Sequence, residues 1–429
     1  MKHGYSQTEY SSIINKGIII VLGASVGQLP LIKLCKQLGY YVVAVSPKGK
    51  YVGLPVADEI LYEDVSNKEA ILEFAQKKTV VGIVSDQLDM AVPIVSFLSD
   101  KLNLRGIKPE VAKLYTNKAK MRLLAKRAGV EIPYFIEVKS MAEALKKMSE
   151  HTLMSFPLLL KPVEGEASHG IHVINSQHDL MLHFEDAKRW SKSGSVIIEQ
   201  YIYGQEYVVE SYTHNYNPTV LAVGKREYFD IKDTFIPRAT IFKDSFSANS
   251  EIEKKLKDAN NKIIKTSMLE FGITHGEFIC EKDTNKIYLV EIAARGGGVQ
   301  TSSDIIPLVS GINIEELLIK DILGIYDYGE LKMKRGVAGY ICYLLPEGKI
   351  VEINGCKDVE RLPGVRTAFW NNIGLGDLVG SINDKASRKG PIIIEGETRD
   401  ECYQLERIIR ETLDIKVETN KGRKGIIWN

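Results

Sequence analysis

Lys286–Gly298 reads KIYLVEIAARGGG. An apolar run ends in a carboxylate, Glu291. Arg295 follows four residues later and leads into the glycines Gly296, Gly297 and Gly298. Fourteen residues before Glu291, the segment HGEFICE places Glu277 in another apolar run. Between the two lies DTN, Asp283–Asn285, which reads as a tight hairpin turn. A three-residue loop makes Lys282 face Lys286, and the same register sets Glu277 opposite Glu291. Opposed residues on antiparallel strands share a face, where two carboxylates repel by about 0.2–1 kcal/mol against a neutral pair. A cation between them reverses that sign. Hard oxygen ligands beside an arginine and exposed backbone amides suit magnesium and a nucleotide phosphate. The competing reading is a solvated hairpin, because surface carboxylates are common.

Outward from this hairpin, the texture of the chain changes twice. Residues 17–110 alternate strand and helix. GIIIVLGAS is a strand and turn, Gln28–Leu38 carries an apolar helical face, and YYVVAVSP is the next strand. AILEFAQKK, VVGIVSD and AVPIVSFLSDKL continue the alternation, which implies a doubly wound parallel sheet. Residues 111–150 are mostly helical. From Phe156 onward the pattern is predominantly β, with helices at HDLMLHFEDAKRWSKSG, EIEKKLKDANNKIIKTSMLEFG and NIEELLIKDILGI. Short strands return from about residue 335, before a helix at RDECYQLERIIRETL and a basic tail, KGRKG, expected to be solvated and mobile. No repeat or low-complexity segment interrupts the chain.

Composition excludes several classes. The chain has 429 residues, 44% hydrophobic and 26% charged, with a net charge of +1. That suits a folded chain of two to four domains and gives no electrostatic case for nucleic acid or an anionic membrane. The five cysteines are scattered and form no CxxC pair, which argues against zinc and disulfides and fits a reducing cytoplasm. The N-terminus lacks a signal-peptide core, and the first apolar run, Ile18–Leu22, is too short to span a bilayer.

Other segments point to phosphate. GASVGQ, Gly23–Gln28, follows a strand and opens a helix but lacks the third glycine and the acidic partner of a dinucleotide fingerprint; a close backbone turn fits better. Lys161 ends the apolar strand LLLK and either snorkels or meets an anion. PVEGEASHG follows, with Gly165, Ser168 and Gly170 able to fold over a triphosphate. An ordinary hairpin loop is the alternative. Glu199 ends SVIIE, and Glu206 follows after QYIYGQ; the pair can read an adenine amino group and a ribose diol, with the backbone of Tyr201 and Ile202 beside the ring.

The order of these parts resembles the ATP-grasp superfamily of carboxylate–amine ligases. The resemblance rests on TNKAKMRLLAKRAGVEIP, FPLLLKPVEGEASHGIHVI, VIIEQYIYGQEYVVE, HGEFICE and YLVEIAARGGG, and extends over about residues 17–415. It implies a mixed α/β and α+β multidomain chain. Residues 1–112 would be a doubly wound pre-grasp domain and residues 113–330 the ATP-grasp domain. The latter would divide into linker helices (113–155), an ATP lid (156–204) and a metal-binding subdomain (205–330). Residues 331–429 would form a small β-rich cap. By the resemblance, Lys118 and Lys161 would contact ATP phosphates, joined by Ser168 of the glycine loop, and Glu199, Tyr201 and Ile202 would hold adenine. Glu206 would hold the ribose, Glu277 and Glu291 would ligate magnesium or manganese, and Arg295 would steady the phosphoryl group. The chain departs from the pattern at Ala293, where many members have a metal-binding asparagine.

The implied function is an ATP-dependent ligase in the cytoplasm, joining a carboxylate to an amine through an acyl phosphate, for example in a dipeptide. Alternatives are a carboxylase or formyl-transferring enzyme of purine synthesis, a nucleotide-binding module without catalysis, and, more remotely, a nicotinamide enzyme. The partners would be small molecules, with no nucleic acid or membrane; a homodimer is the family's habit. Of the histidines, His275 is singled out because it leads into the Glu277 strand. Arg226 is either a ligand to an anion or a solvated strand end.

Overall fold

The computed structural model describes residues 16–152, 154–165, 169–231, 234–326, 331–370 and 372–429. The N-terminal sheet is parallel, in the order Glu59–Tyr62, Tyr41–Ser46, Ile18–Leu22, Val80–Val84. Alternation along Ile18–Leu22 explains its apolar run. Ile19 and Val21 face one core with Leu31 and Cys35, while Ile20 and Leu22 face another with Ile71 and Leu98. A strand buried on both faces reads as continuously apolar. The first core also takes in Ile319 and Ile322 of the helix Ile314–Ile322, which docks this layer against the body. The GASVGQ turn is closed from within: Gly23 has φ +93°, and buried Gln28 accepts from Ser25 and donates to the Asp86 carbonyl at 2.7 Å.

A second sheet is antiparallel, in the order Phe135–Val138, Val196–Gln200, Leu158–Pro162, His172–Ile174. Its first strand lies within the segment expected to be linker helices, so this sheet begins earlier than residue 156. The helices Met141–Ser149 and Gln177–Arg189, each N-capped by a serine, cover one face, with Phe184 of the second packed in one core with Leu158, Leu160, Val196 and Ile198. Alternation turns Leu159, Lys161 and Glu199 to the opposite face.

The third sheet has eight antiparallel strands, running Ile287–Ala293, Gly272–Glu281, Gly204–His214, Asn217–Tyr228, Pro237–Asp244, Val337–Tyr343, Lys389–Gly396, Val365–Ala368. The last three come from the segment expected to be a separate cap. They continue the same hydrogen-bonded sheet, so this part of the C-terminal region is structurally one piece with the strands before it. A fourth sheet contains the strand Gly422–Lys424, paired with Asp414–Thr419. The basic tail is therefore exposed, as expected, but hydrogen-bonded as an edge strand and not mobile chain.

The hairpin register corrects one step of the sequence reading. The Glu281 amide bonds to the Lys286 carbonyl at 2.9 Å, and Cys280 pairs with Ile287. The loop is thus four residues, Lys282–Asn285, with Asn285 in the left-handed region at φ +54°. That register alone would set Glu277 opposite Val290. A β-bulge intervenes: Phe278 pairs with Leu289 but Glu277 pairs with Glu291, leaving Val290 as the extra residue. The expected carboxylate pair is present, but a bulge restores it after a longer turn. Bulges of this kind re-aim side chains.

Among the described residues no helix is long and apolar enough to cross a membrane.

Candidate functional site

A cleft runs between the second sheet and the eight-stranded sheet. Its walls bound about 1100 Å³ of space, part of it open solvent. Lys118, Lys161, Glu199, Ile202, Glu206, Glu277, Glu291 and Arg295 all line it. Tyr201 follows the Val196–Gln200 strand, half-buried, with its ring 4.7 Å from that of Tyr203 and off the cleft wall. Ser168 lies outside the described residues.

At one end of the cleft the protein completes its own charge pairing. Glu199 is 1% exposed and accepts Arg122 through both oxygens, at 3.0 and 3.1 Å, and Lys161 Nζ at 2.5 Å. Strand pairing explains the last contact: Leu159 opposes Glu199, so Lys161 is its diagonal neighbour on one face. Burial pushes the Glu199 carboxyl up, but Arg122 and then Lys161 outweigh it and bring its pKa down to about 2. Arg122 sits on the helix Lys118–Arg127 and also donates to the Val290 carbonyl at 2.9 Å. It therefore ties the bulge to Glu199. Sequence reasoning missed it, because Arg122 among apolar helical neighbours looks like one more solvated residue.

At the other end the pairing is incomplete. Glu277 and Glu291 lie side by side. Arg226 Nη1 donates to Glu277 at 2.5 Å and to Glu206 at 2.7 Å. Arg226 is buried here, so the solvated strand-end reading fails, whereas its neighbour Lys225 pairs with Glu227 at 3.2 Å. Burial raises the Glu206 carboxyl against the pull of Arg226, with the Glu277 charge adding to the rise. Glu277 itself is pushed up by burial yet held well below the carboxylate range, first by Arg226 and then by His275. Glu291 has one distant partner, Lys118 Nζ at 3.5 Å, and keeps 32% of its side chain exposed. Lys118 also donates to the Gly165 carbonyl at 2.9 Å.

His275 is directly opposite Glu210 on one neighbouring strand and Ala293 on the other. Its Nδ1 meets Glu210 and its Nε2 lies 3.2 Å from Glu277. Burial disfavours the imidazolium, but Glu210 and then Glu277 raise its pKa above the ordinary value. A Cβ on Gly297 would stand 2.7 Å from Glu210 and 2.8 Å from His275, so the glycine run passes this pair closely because it lacks side chains. His214 and His172 pair instead with Asp321 and Asp186, away from the cleft.

Arg295 presents its fork to Asp89 of the N-terminal layer, Nε at 2.8 Å and Nη2 at 2.6 Å, while Nη1 donates to the Gly296 carbonyl at 2.8 Å. Burial raises the Asp89 carboxyl, but Arg295 outweighs it and holds the group below its usual range. Asp89, within SDQLDM, carried no signal in the sequence. Lys385, from the C-terminal region, is a further cleft residue that sequence reasoning missed.

Two carboxylates facing a cleft rich in lysine and arginine fit a hard cation that shares its ligands with phosphate. Among the described residues no three His, Cys, Asp or Glu side chains form a closed metal cage. Magnesium commonly keeps waters and phosphate oxygens beside one or two carboxylates.

Residues 154–304 match the model of the ATP-grasp domain. A D-alanine–D-alanine ligase B from Chromobacterium violaceum is 26% identical over 48% of this chain and 65% of its own length. The large chain of carbamoyl phosphate synthase from Clostridium beijerinckii is 20% identical over 88% of this chain and 35% of its own. The chain thus spans less than two thirds of these relatives. The crystal structure of an L-amino acid ligase from Bacillus licheniformis superposes with a TM-score of 0.78, at 20% identity, over 94% of this chain and 99% of that one. At that identity the likeness establishes the fold.

Proposed function

We propose that the ATP-grasp domain this chain carries serves an ATP-dependent ligase that joins a carboxylate to an amine. The observation that supports this most is the incomplete end of the cleft, where Glu277 and Glu291 stand together with Lys118 and Arg226 around them. A carboxylate oxygen of the substrate attacks the terminal phosphorus of ATP and ADP leaves. The amine then attacks the acyl carbon, the C–O bond to phosphate breaks, and the amine proton passes to solvent. Magnesium, when bound, supplies charge neutralisation at the phosphate oxygens. Glu277 and Glu291 are its proposed holders. Lys118 and Lys161 attend the phosphates, with Ser168 assigned there from the sequence of its glycine loop alone. Glu206 takes the ribose; Glu199 and the backbone at Tyr201 and Ile202 take the adenine. The Glu199 carboxylate is already fixed by Arg122 and Lys161, so its share is orientation as much as contact.

The names of the relatives, a D-alanine–D-alanine ligase and an L-amino acid ligase, favour an amino-acid carboxylate and an amide product. A second reading is a nucleotide-binding module without turnover. Two points favour it: Ala293 departs from the asparagine of the family pattern it resembles, and Arg226 already offsets Glu277. Phosphate release decides. ADP and phosphate should form only when a carboxylate is supplied from an amino-acid panel, and hydroxylamine should trap the acyl group as a hydroxamate. AMP and pyrophosphate as products would overturn the acyl-phosphate route. Binding of MgATP without turnover across the panel would favour the module.

A further inference from the structure

Lys385 belongs to the C-terminal region by sequence and to the cleft by position. It lies on the segment between the strands Leu378–Val379 and Lys389–Gly396, and lines the same cavity as Glu277 and Glu291. Among the described residues it has no carboxylate within ion-pair distance. Of the Glu277 oxygens, Oε1 is taken by Arg226 and His275. A half-buried ammonium without a partner is costly to hold in place. Burial accordingly pulls its pKa down, against Glu277, while Arg226 and Arg388 add repulsion.

The surrounding contacts hold the lysine there regardless. Asp384 caps the short helical turn Lys385–Ser387, accepting the Ala386 amide at 2.7 Å. Its other oxygen lies 3.2 Å from His169 Nε2, across the cleft on the segment that follows the glycine loop. Arg388 donates to the Lys385 carbonyl at 3.0 Å and to the Pro237 carbonyl at 3.3 Å, pinning the segment to the eight-stranded sheet. A cation positioned from three sides and left without a counter-charge is arranged for an anion supplied from outside.

We propose that Lys385 contacts the transferring phosphoryl group, joining the C-terminal region to the catalytic site. This rests on the ligase reading above. The place along the cleft selects the anion. The adenine and ribose are neutral and offer an ammonium no counter-charge. On the ligase reading Glu277 and Glu291 hold the metal beside the terminal phosphate, and both line the same cavity as Lys385. The contact is therefore made to a triphosphate and lost to a diphosphate.

The test compares the affinities of MgADP and the magnesium complex of the β,γ-imido analogue of ATP, by calorimetry, on the whole chain. Wild-type protein should favour the triphosphate. Lys385→Ala should lower that preference roughly tenfold or more, the range of a lost charge-assisted hydrogen bond, and leave MgADP affinity nearly unchanged. Lys385→Arg should restore much of the preference. Lys385→Met keeps the stem length and guards against a folding defect, with the melting temperature measured on each variant. An unchanged preference in Lys385→Met, with or without a lower melting temperature, would overturn the proposal and make Lys385 a strut. Wild-type protein that binds neither nucleotide would overturn the ligase reading itself, a different and recognisable failure.

Discussion

The two ends of the cleft hold buried or half-buried carboxylates, but they solve the problem of charge differently. At the Glu199 end, one carboxylate receives three charge-assisted hydrogen bonds from Arg122 and Lys161 and is sealed from water. At the Glu277 end, Glu206 and Glu277 share a single Arg226 nitrogen, and among the described residues Glu291 has only a 3.5 Å contact and Lys385 no carboxylate partner. The first end is finished by the protein and acts as a scaffold. The second is left open, and on the proposed function a ligand with both positive and negative charge, such as a metal–phosphate complex, would complete it. Removing a member of the first should damage folding; removing a member of the second should damage chemistry.

Arg122→Met attacks the finished end. It leaves Glu199 with Lys161 alone and frees the Val290 carbonyl of the bulge. Breaking one side of a buried pair typically costs about 3–5 kcal/mol, so denaturant titration should show a loss of that size. Adding Glu199→Gln should recover part of it. A stability equal to wild type would remove the distinction between the two ends.

Acid probes the same end. The Glu199 pKa is depressed from 4.5 to about 2 in the folded state. Its contribution is fully present above pH 4.5 and disappears as pH falls from there toward 2. The loss is on the order of 3 kcal/mol. Stability measured across this window should therefore fall more steeply in wild type than in Glu199→Gln. Parallel curves would mean that the pair does not hold the depressed value.

Arg295→Ala tests the border between the two behaviours. The expectation from its place beside the glycine run is a loss of kcat of roughly a hundredfold, as for a lost charge-stabilising donor. Because its fork is engaged by Asp89, a drop in melting temperature should accompany it, and lysine should rescue poorly. Lowered stability with unchanged kcat would place Arg295 wholly with the scaffold.

Glu291→Gln should have the smallest effect on folding and a large one on turnover. Easing the repulsion with Glu277 and losing the long Lys118 contact nearly offset, so metal-free stability should change by less than about 1 kcal/mol. Magnesium-dependent nucleotide binding should weaken markedly. A metal-free protein that unfolds outright would show that the open end is structural after all.

Much of this arrangement could be read along the chain. The apolar runs of Ile18–Leu22 and its neighbours required a parallel sheet covered on both faces. Strand patterns were enough to put Lys161 and Glu199 at the ends of apolar strands and to set Glu277 in line for Glu291. The doubly wound layer, the antiparallel sheets and the carboxylate pair follow from periods of two and 3.6 residues, which act between near neighbours. The turn at Asp283–Asn285 already shows the limit. Loop chemistry allowed a three-residue turn; the chain makes four and repairs the register with a bulge.

By its sequence alone, the chain determined which residues could face a cleft, because side-chain direction in a strand is a local property. Only the tertiary structure decided which charges meet there. Arg122 reaches Glu199 across 77 residues, and Arg295 reaches Asp89 across 206. Lys385 arrives from strands that looked like a separate cap but extend the same sheet. An arginine on a helix, an aspartate in a loop and a lysine in a turn carry no periodic signal. Their partners are set by how sheets stack and which strands pair at long range, and that is where the unfinished end of the cleft acquires its charges.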